Sequence, residues 1–409
     1  MTQKITVSDL LAQETIRNPS VFYAHLRAQG PLVSIDDFLG KGKAWIVTNY
    51  DDALALLKDP RLTKDWRKVL PPPSGDEPQV SSAENLFLVL MQNMITVDPP
   101  DHTRLRGLVS KAFTPRMIEQ LRPRIQQITE ELLDAVQERG EMDLINDFAY
   151  PLPITVISEM LGIPASDRQK FRTWTQVMVN TGEQSQQEAI MASSMAEFVH
   201  YIRTFVDEKR AHPSNDMTSN LVQAEENGDM LSENELISMI FLLIVAGHET
   251  TVNLIGNGSL ALLQHPDQWR QLQHDPSLIP SAIEELLRYT APVNLSDERW
   301  ASEDISIHGQ VIHKGEIVYA SLISANTDPQ QFHDPEMLDV TRRENQHLAF
   351  GKGIHYCLGA PLARLEGQIA FATLIKRLPD LRLATDPAQL TWNNNPMLRG
   401  LRSLPVTFL

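Results

Sequence analysis

Apolar residues recur every three to four positions along most of this chain, and that period predicts helices over 51–57, 103–113, 117–139, 154–161, 187–210 and 280–289. The longest such stretch covers 232–264. It opens on Ser232-Glu233-Asn234-Glu235, a pattern in which the serine and the second glutamate satisfy each other's backbone donors. It stays apolar through 237–246 and stops near His265-Pro266, because proline brings no amide hydrogen to a continuing helix. At about 1.5 Å per residue it would be roughly 50 Å long. A helix that apolar belongs in the middle of the molecule. Short stretches at 32–34, 44–48, 305–307, 316–321 and 406–409 read as strands. The first two bracket the turn-rich Asp36-Asp37-Phe38-Leu39-Gly40-Lys41-Gly42, which predicts a hairpin. Residues 71–78 hold four prolines and read as a loop. The expected class is mainly α with a small β region. No repeat and no boundary divides the chain, so a single catalytic domain over 1–409 is expected, β-rich over about 1–60 and helical afterwards.

Composition narrows the functions. The chain has 36 Lys+Arg against 52 Asp+Glu, a net charge of −16. That acidity disfavours nucleic acid, which calls for a basic face, and anionic membranes likewise. The first eleven residues are polar and mixed, with no apolar run after positive charge, so neither a secretory signal nor a membrane anchor is expected. No stretch reaches about 18 uninterrupted apolar residues. The expected location is cytoplasmic, and the single cysteine agrees with it.

That cysteine changes the picture. Cys357 stands in Phe350-Gly351-Lys352-Gly353-Ile354-His355-Tyr356-Cys357-Leu358-Gly359. A lone cysteine makes no internal disulfide and no four-thiolate metal site, and most such thiols are small core hydrophobes. Here three glycines allow a tight turn and a close backbone approach to a flat object. Residues 358–365 read as the start of a helix, and a thiol at a helix N-terminus ionises more readily. A thiolate so held is a good axial ligand for haem iron and favours O–O cleavage.

The run matches, at every defined position, the F-x-x-G-x-H-x-C-x-G haem-binding pattern, and the chain here resembles the cytochrome P450 superfamily, in its bacterial class. The resemblance implies a triangular-prism fold with the long helix over the haem, haem b as cofactor, and Cys357 as the metal ligand, with Phe350 and Gly359 beside it. Three further segments agree. Ala246-Gly247-His248-Glu249-Thr250 interrupts the apolar helix with polar groups. Thr250 read alone is a back-bonding threonine and Glu249 half of an ion pair. The zinc pattern H-E-x-x-H fails because Val252 occupies its last position. In the resembled family this stretch is the acid–alcohol pair: Gly247 next to Ala246 leaves room for dioxygen, and Glu249 and Thr250 are the catalytic residues that deliver protons. Glu285 and Arg288, three apart on one helical face, match the family's E-x-x-R pair, to which Arg342 corresponds as the third, structural member. His102 and Arg106, four apart on one face, together with Arg299 and His355, stand at the family's propionate-binding positions.

The activity implied is a haem-thiolate monooxygenase that inserts one atom of O2 into a lipophilic small molecule, by hydroxylation or epoxidation. No flavin-binding or iron–sulfur pattern is present, so electrons would come from a ferredoxin or flavodoxin and its reductase. An acidic carrier calls for a basic patch near the cysteine, for which Arg122, Arg124, Lys352 and Arg364 are the candidates. Family placement puts Leu86, Phe87 and Leu90 over the haem. Met178, Val179, Val245, Val293, Leu295 and Met397 would line the rest of the pocket, although each is equally explicable as core. The Ala-Gly-His-Glu-Thr-Thr string is similar to that of bacterial members acting on macrolides, polyketides, terpenoids or steroids in secondary metabolism. Two alternatives keep the haem: a peroxide-driven peroxygenase, against which the Glu249-Thr250 pair counts, and a non-enzymatic haem sensor, for which no output domain is seen.

Overall fold

A computed structural model describes residues 5–70, 82–111, 113–179, 184–226 and 231–408. The proline-rich stretch 71–78 and the final residue of the last expected strand lie outside them. The described chain is mostly helical with three small sheets. It divides into two compact units, each assembled from separated stretches. One takes Met1–Val69, Glu119–Leu152 and Thr250–Leu409; the other takes Leu70–Ile118 and Pro153–Glu249.

The first unit holds all the strands. Its five-stranded sheet runs in the order Leu32–Ile35, Ala44–Val47, Ile317–Ala320, Arg299–Ala301, Leu62–Thr63. The predicted hairpin is present, with Leu32 opposite Val47 and Ile35 opposite Ala44. Among the described residues, the one parallel pairing joins Ala44–Val47 to Ile317–Ala320, segments far apart in sequence. Trp45, Val47, Leu56, Val318, Phe332 and Leu348 pack into one apolar cluster against this sheet. Leu348 carries that cluster to the edge of the cysteine loop. A three-stranded sheet brings Pro405–Thr407 between Glu141–Asp143 and Arg382–Leu383. The helix expected over 117–139 is two helices, Pro115–Gln120 and Arg122–Gln137. Pro123 accounts for the break: its ring would clash with the carbonyl four residues back, so it sits in the first turn of a new helix.

The second unit is helical. Helices Arg168–Val179 and Gln184–Ala211 meet through edge-to-face aromatic pairs, among them Phe171 with Phe198 at 6.0 Å and Trp174 with Phe198 at 5.7 Å. The shorter helix was not expected from the periodicity. The long helix observed is Glu233–Gln264. Its predicted cap is formed: the Ser232 amide donates to Glu235 Oε2 at 2.7 Å, and the Glu235 amide to Ser232 Oγ at 3.2 Å. Glu235 also pairs with Arg104 of helix Asp101–Lys111. The long helix is the one described helix apolar and long enough to cross a membrane, and 61% of its apolar window is buried inside the protein, as a core helix would be.

Candidate active site

The cysteine loop is shaped by two left-handed glycines, Gly351 at φ 67° and Gly353 at φ 75°. At Gly353 a β-carbon would stand 2.8 Å from the carbonyl oxygen of Leu57, so only glycine lets the loop lie against the end of helix Tyr50–Leu56. Three backbone bonds close the turn: Gly351 N–H to Leu348 O at 2.8 Å, Tyr356 N–H to Gly353 O at 3.1 Å, and Cys357 N–H to Phe350 O at 2.9 Å. Helix Ala360–Arg377 follows, with Gly359 as its N-cap and Pro361 in its first turn. Cys357 is exposed, not packed as a core hydrophobe. Its sulfur therefore stands at the entrance of an 18-residue helix, where the helix dipole favours an anion.

Beneath this loop lies a dense polar frame. Arg288 is fully buried and grips Glu285 through two bonds of 2.8 Å. Its remaining hydrogens go to the carbonyls of Asn326 at 2.9 Å, Pro335 at 2.7 Å and Met337 at 3.1 Å. Arg342 joins the same carboxylate at 3.1 Å. So do the Asp339 amide at 3.0 Å and the Asn345 side chain at 3.1 Å, partners that no sequence motif announces. Asn326, also unanticipated, ties the frame to the loop: its side-chain oxygen accepts the Leu348 amide at 2.7 Å. A second network runs alongside. Arg364 forks onto Glu284 with two 2.7 Å bonds, lies 4.6 Å over the Phe350 ring, and reaches the Tyr356 hydroxyl at 3.3 Å. His347 meets Glu284 at 3.1 Å. Burial pushes the Glu284 carboxyl up, but the bonds from Arg364 and His347 outweigh it and hold it at about 2.

These pairings correct the expected docking patch. Arg364 is committed to Glu284, Arg122 to Glu119 and Arg124 to Glu131 at 3.5 Å. The first is a partly buried bidentate pair, whereas the other two are exposed and weak. Of the four candidates, Lys352 alone makes no ion pair among the described residues, and Arg364 is better read as a brace under Phe350.

The expected anion-binding residues are split between the units. Arg299 is buried in its strand, between Val318 on one side and the Leu62–Thr63 strand on the other, and His355 closes the short turn Gly353–His355. In the other unit His102 is buried and Arg106 half-buried on one helix. Burial, then the neighbouring Arg106 charge, lowers the His102 pKa. The donor set fits an anionic cofactor: an imidazole and a guanidinium crowd one helix face, and a negative group between them would relieve the repulsion.

On the long helix, His248 is fully buried and hydrogen-bonds through Nδ1 to the Ile244 carbonyl at 2.7 Å; burial takes its pKa down to about 4. Glu249 meets His248 Nε2 at 3.5 Å rather than a distant Arg or Lys, and burial raises its carboxyl above the ordinary range. Ala246 is exposed and Val245 and Thr250 are half-buried, while Leu243, Ile244 and His248 are buried, so one side of the helix is open. Gly247 has a packing reason of its own: a β-carbon there would meet Ile157 at 3.2 Å. Glu366 of helix Ala360–Arg377, which the motif passes over, is fully buried, and that burial pushes its carboxyl up to about 8.

Of the expected pocket residues, Leu90 and Leu295 are completely buried, so packing accounts for them. Leu86, Val293 and Met397 are half-buried and Phe87 is exposed. The side chains of Met178 and Val179 lie outside those described.

A model of the Cytochrome P450 family matches residues 38–395. A Priestia megaterium protein, cytochrome P450 CYP107DY1, is 54% identical over 411 residues, covering 99% of this chain and all of its own. Among solved structures, the Bacillus subtilis bacillaene polyketide synthase cytochrome P450 PksS has a TM-score of 0.89 at 46% identity, covering 98% of this chain and 99% of its own. A myxobacterial cytochrome P450, CYP267B1, solved with myristic acid, has a TM-score of 0.91 at 44% identity and the same coverage.

Proposed function

This chain belongs to the cytochrome P450 family and is a monooxygenase of that family, and from this we propose that Cys357 binds the iron of a b-type haem and that Glu249 and Thr250 handle the protons. The haem, when bound, supplies the chemistry that activates dioxygen with two electrons and inserts one of its atoms into substrate. The observation that carries the reading is the exposed sulfur of the chain's single cysteine, at the entrance of a long helix and in a loop pinned to a buried ion-pair frame. Arg299 and His355 in one unit, and His102 and Arg106 in the other, would donate to the propionates. Ala246, exposed on the long helix, would face the cofactor with no side chain large enough to block it.

Protons would reach the site through Glu249 and Thr250. A carboxyl raised by burial keeps its proton closer to neutral pH than an exposed one and gives it up on demand. Burial lowers the His248 pKa to about 4, so its Nε2, 3.5 Å away, stays a neutral neighbour and does not draw the proton off Glu249. The Thr250 hydroxyl would pass it inward. The half-buried Val293 and Met397 would form an apolar wall for a medium-sized lipophilic substrate. A polyketide-type or fatty-acyl molecule fits that wall, in line with the relatives' names. A ferredoxin or flavodoxin in the cytoplasm would bring electrons to the face that carries Lys352.

The direct test is Cys357→Ala. Reduced and treated with carbon monoxide, the parent should show the strongly red-shifted Soret band of a thiolate ligand, and the variant should lose it. A variant that keeps the band ends the assignment. Spectral titration of the parent with polyketide and fatty-acid libraries should then displace water from the iron for the true substrate class.

A further inference from the structure

Lys64 follows the two-residue strand Leu62–Thr63, which pairs antiparallel with Arg299–Ala301, Leu62 opposite Ala301 and Thr63 opposite Trp300. One further step in that register sets Lys64 opposite Arg299. The Lys64 side chain is only 3% exposed. A lysine this buried is rare unless its ammonium is paired, and like charges opposite one another in a sheet repel. Lys64 answers both costs locally. Its Nζ donates to the Glu298 carbonyl at 2.7 Å and forms an ion pair with Asp297. The Glu298 carboxylate is held elsewhere, by Lys41 at 2.6 Å and by the Tyr319 hydroxyl at 3.4 Å. Both acids immediately ahead of Arg299 are therefore committed to lysines.

We propose that Lys64 is a positioning residue for the cofactor: it holds Asp297 and the Glu298 carbonyl so that Arg299 presents its guanidinium to a haem propionate and not to Asp297. This rests on the reading of Arg299 as a propionate donor. Asp297 is two residues from Arg299 and a third exposed, so a modest rotation would let it compete with the propionate once Lys64 is gone. Lys64 touches no reacting atom; it acts by occupying the rival carboxylate.

The test reads haem retention, not turnover. Ferric holoprotein is mixed with apomyoglobin and the rate of haem transfer is followed. Lys64→Met should lose haem about tenfold faster than the parent, the scale of one redirected charged hydrogen bond. The double variant Lys64→Met/Asp297→Asn should return to within about threefold of the parent, since neither the buried cation nor the competing acid remains. A Lys64→Met rate equal to the parent's overturns the proposal. So does a double variant as leaky as the single one, which would make Lys64 a packing residue only. Should Lys64→Met give no holoprotein, recovery of holoprotein in the double variant supports the proposal and equal failure overturns it. Arg299→Leu separates the premise: haem loss at the parental rate there removes the propionate reading, and the role of Lys64 with it.

Discussion

Two glutamates on two helices, Glu285 fully buried and Glu249 half-buried, show what distinguishes a brace from a reactive group. Glu285 receives five hydrogen bonds: two from Arg288 and one each from Arg342, the Asp339 amide and the Asn345 side chain. Glu249 has His248 at 3.5 Å and little else to offset its burial. Burial is a cost in both places. In the first it is answered completely and the carboxylate becomes a fixed node joining helix Ile279–Thr290 to the stretch 339–345. In the second it goes largely unanswered, so the carboxyl's pKa is raised and its proton is held to higher pH than an exposed carboxyl's would be. A saturated carboxylate can only hold a shape, whereas one left short of partners can exchange a proton.

Breaking the saturated node should have the largest effect. Arg288→Ala leaves the Glu285 charge buried and three carbonyls without their donor, a loss of about 3–5 kcal/mol. Since whole domains are stable by only about 5–15 kcal/mol, little folded holoprotein should be recovered. Normal yield and an unchanged melting curve would show the frame to be dispensable. Gly353→Ala attacks the same region through the backbone. It forces a side chain into a left-handed conformation, at about 1–3 kcal/mol, with its β-carbon against the Leu57 carbonyl. A drop in melting temperature with faster haem loss is expected; parental values for both would mean that the loop relaxes freely.

The lightly partnered glutamate should behave in the opposite way. Its folded pKa is raised, so the folded chain holds the proton longer than the unfolded chain does, and stability falls as pH rises through that interval. Glu249→Gln removes this loss: its melting temperature should match the parent's near pH 5 and exceed it slightly at pH 8. Turnover should nevertheless fall by at least about tenfold, as for a lost general acid. A large loss of stability would place Glu249 with the braces. Thr250→Ala should change stability least, yet release more peroxide for each electron pair consumed. Unchanged coupling would remove Thr250 from the proton path.

Sequence and structure agree best where the chemistry is local. The cysteine decapeptide, its glycines and the helix after it are contiguous, and the long helix carries both a sustained period and its own cap. The helix split at Pro123 was hidden because apolar spacing runs on across a residue that the backbone cannot accommodate. Arg168–Val179 was missed because its apolar face is mostly aromatic and packs on another helix rather than on a regular stripe. Asn326, Asn345 and Asp339 were illegible for a different reason. They are single polar residues, Asn326 at the end of the short helix Leu322–Asn326 and the other two in irregular chain, and their value comes from what lies beside them in space. Lining and core could not be told apart either: Leu295 and Val293 look alike in the sequence, but one is completely buried and the other is not.

The contact of Gly353 with the Leu57 carbonyl joins two points about 300 residues apart. The loop that presents the sulfur is thus moulded against a part of the chain synthesised far earlier. Local preference alone cannot set its shape; it has to close on a surface already built, a non-local step of the kind that slows assembly. During synthesis the N-terminal sheet and helix wait, incomplete, for a strand and a turn that emerge near the end. On the role proposed for Cys357, capture of the metal would be coupled to completion of the chain, and a polypeptide truncated before the turn would lack its thiolate ligand.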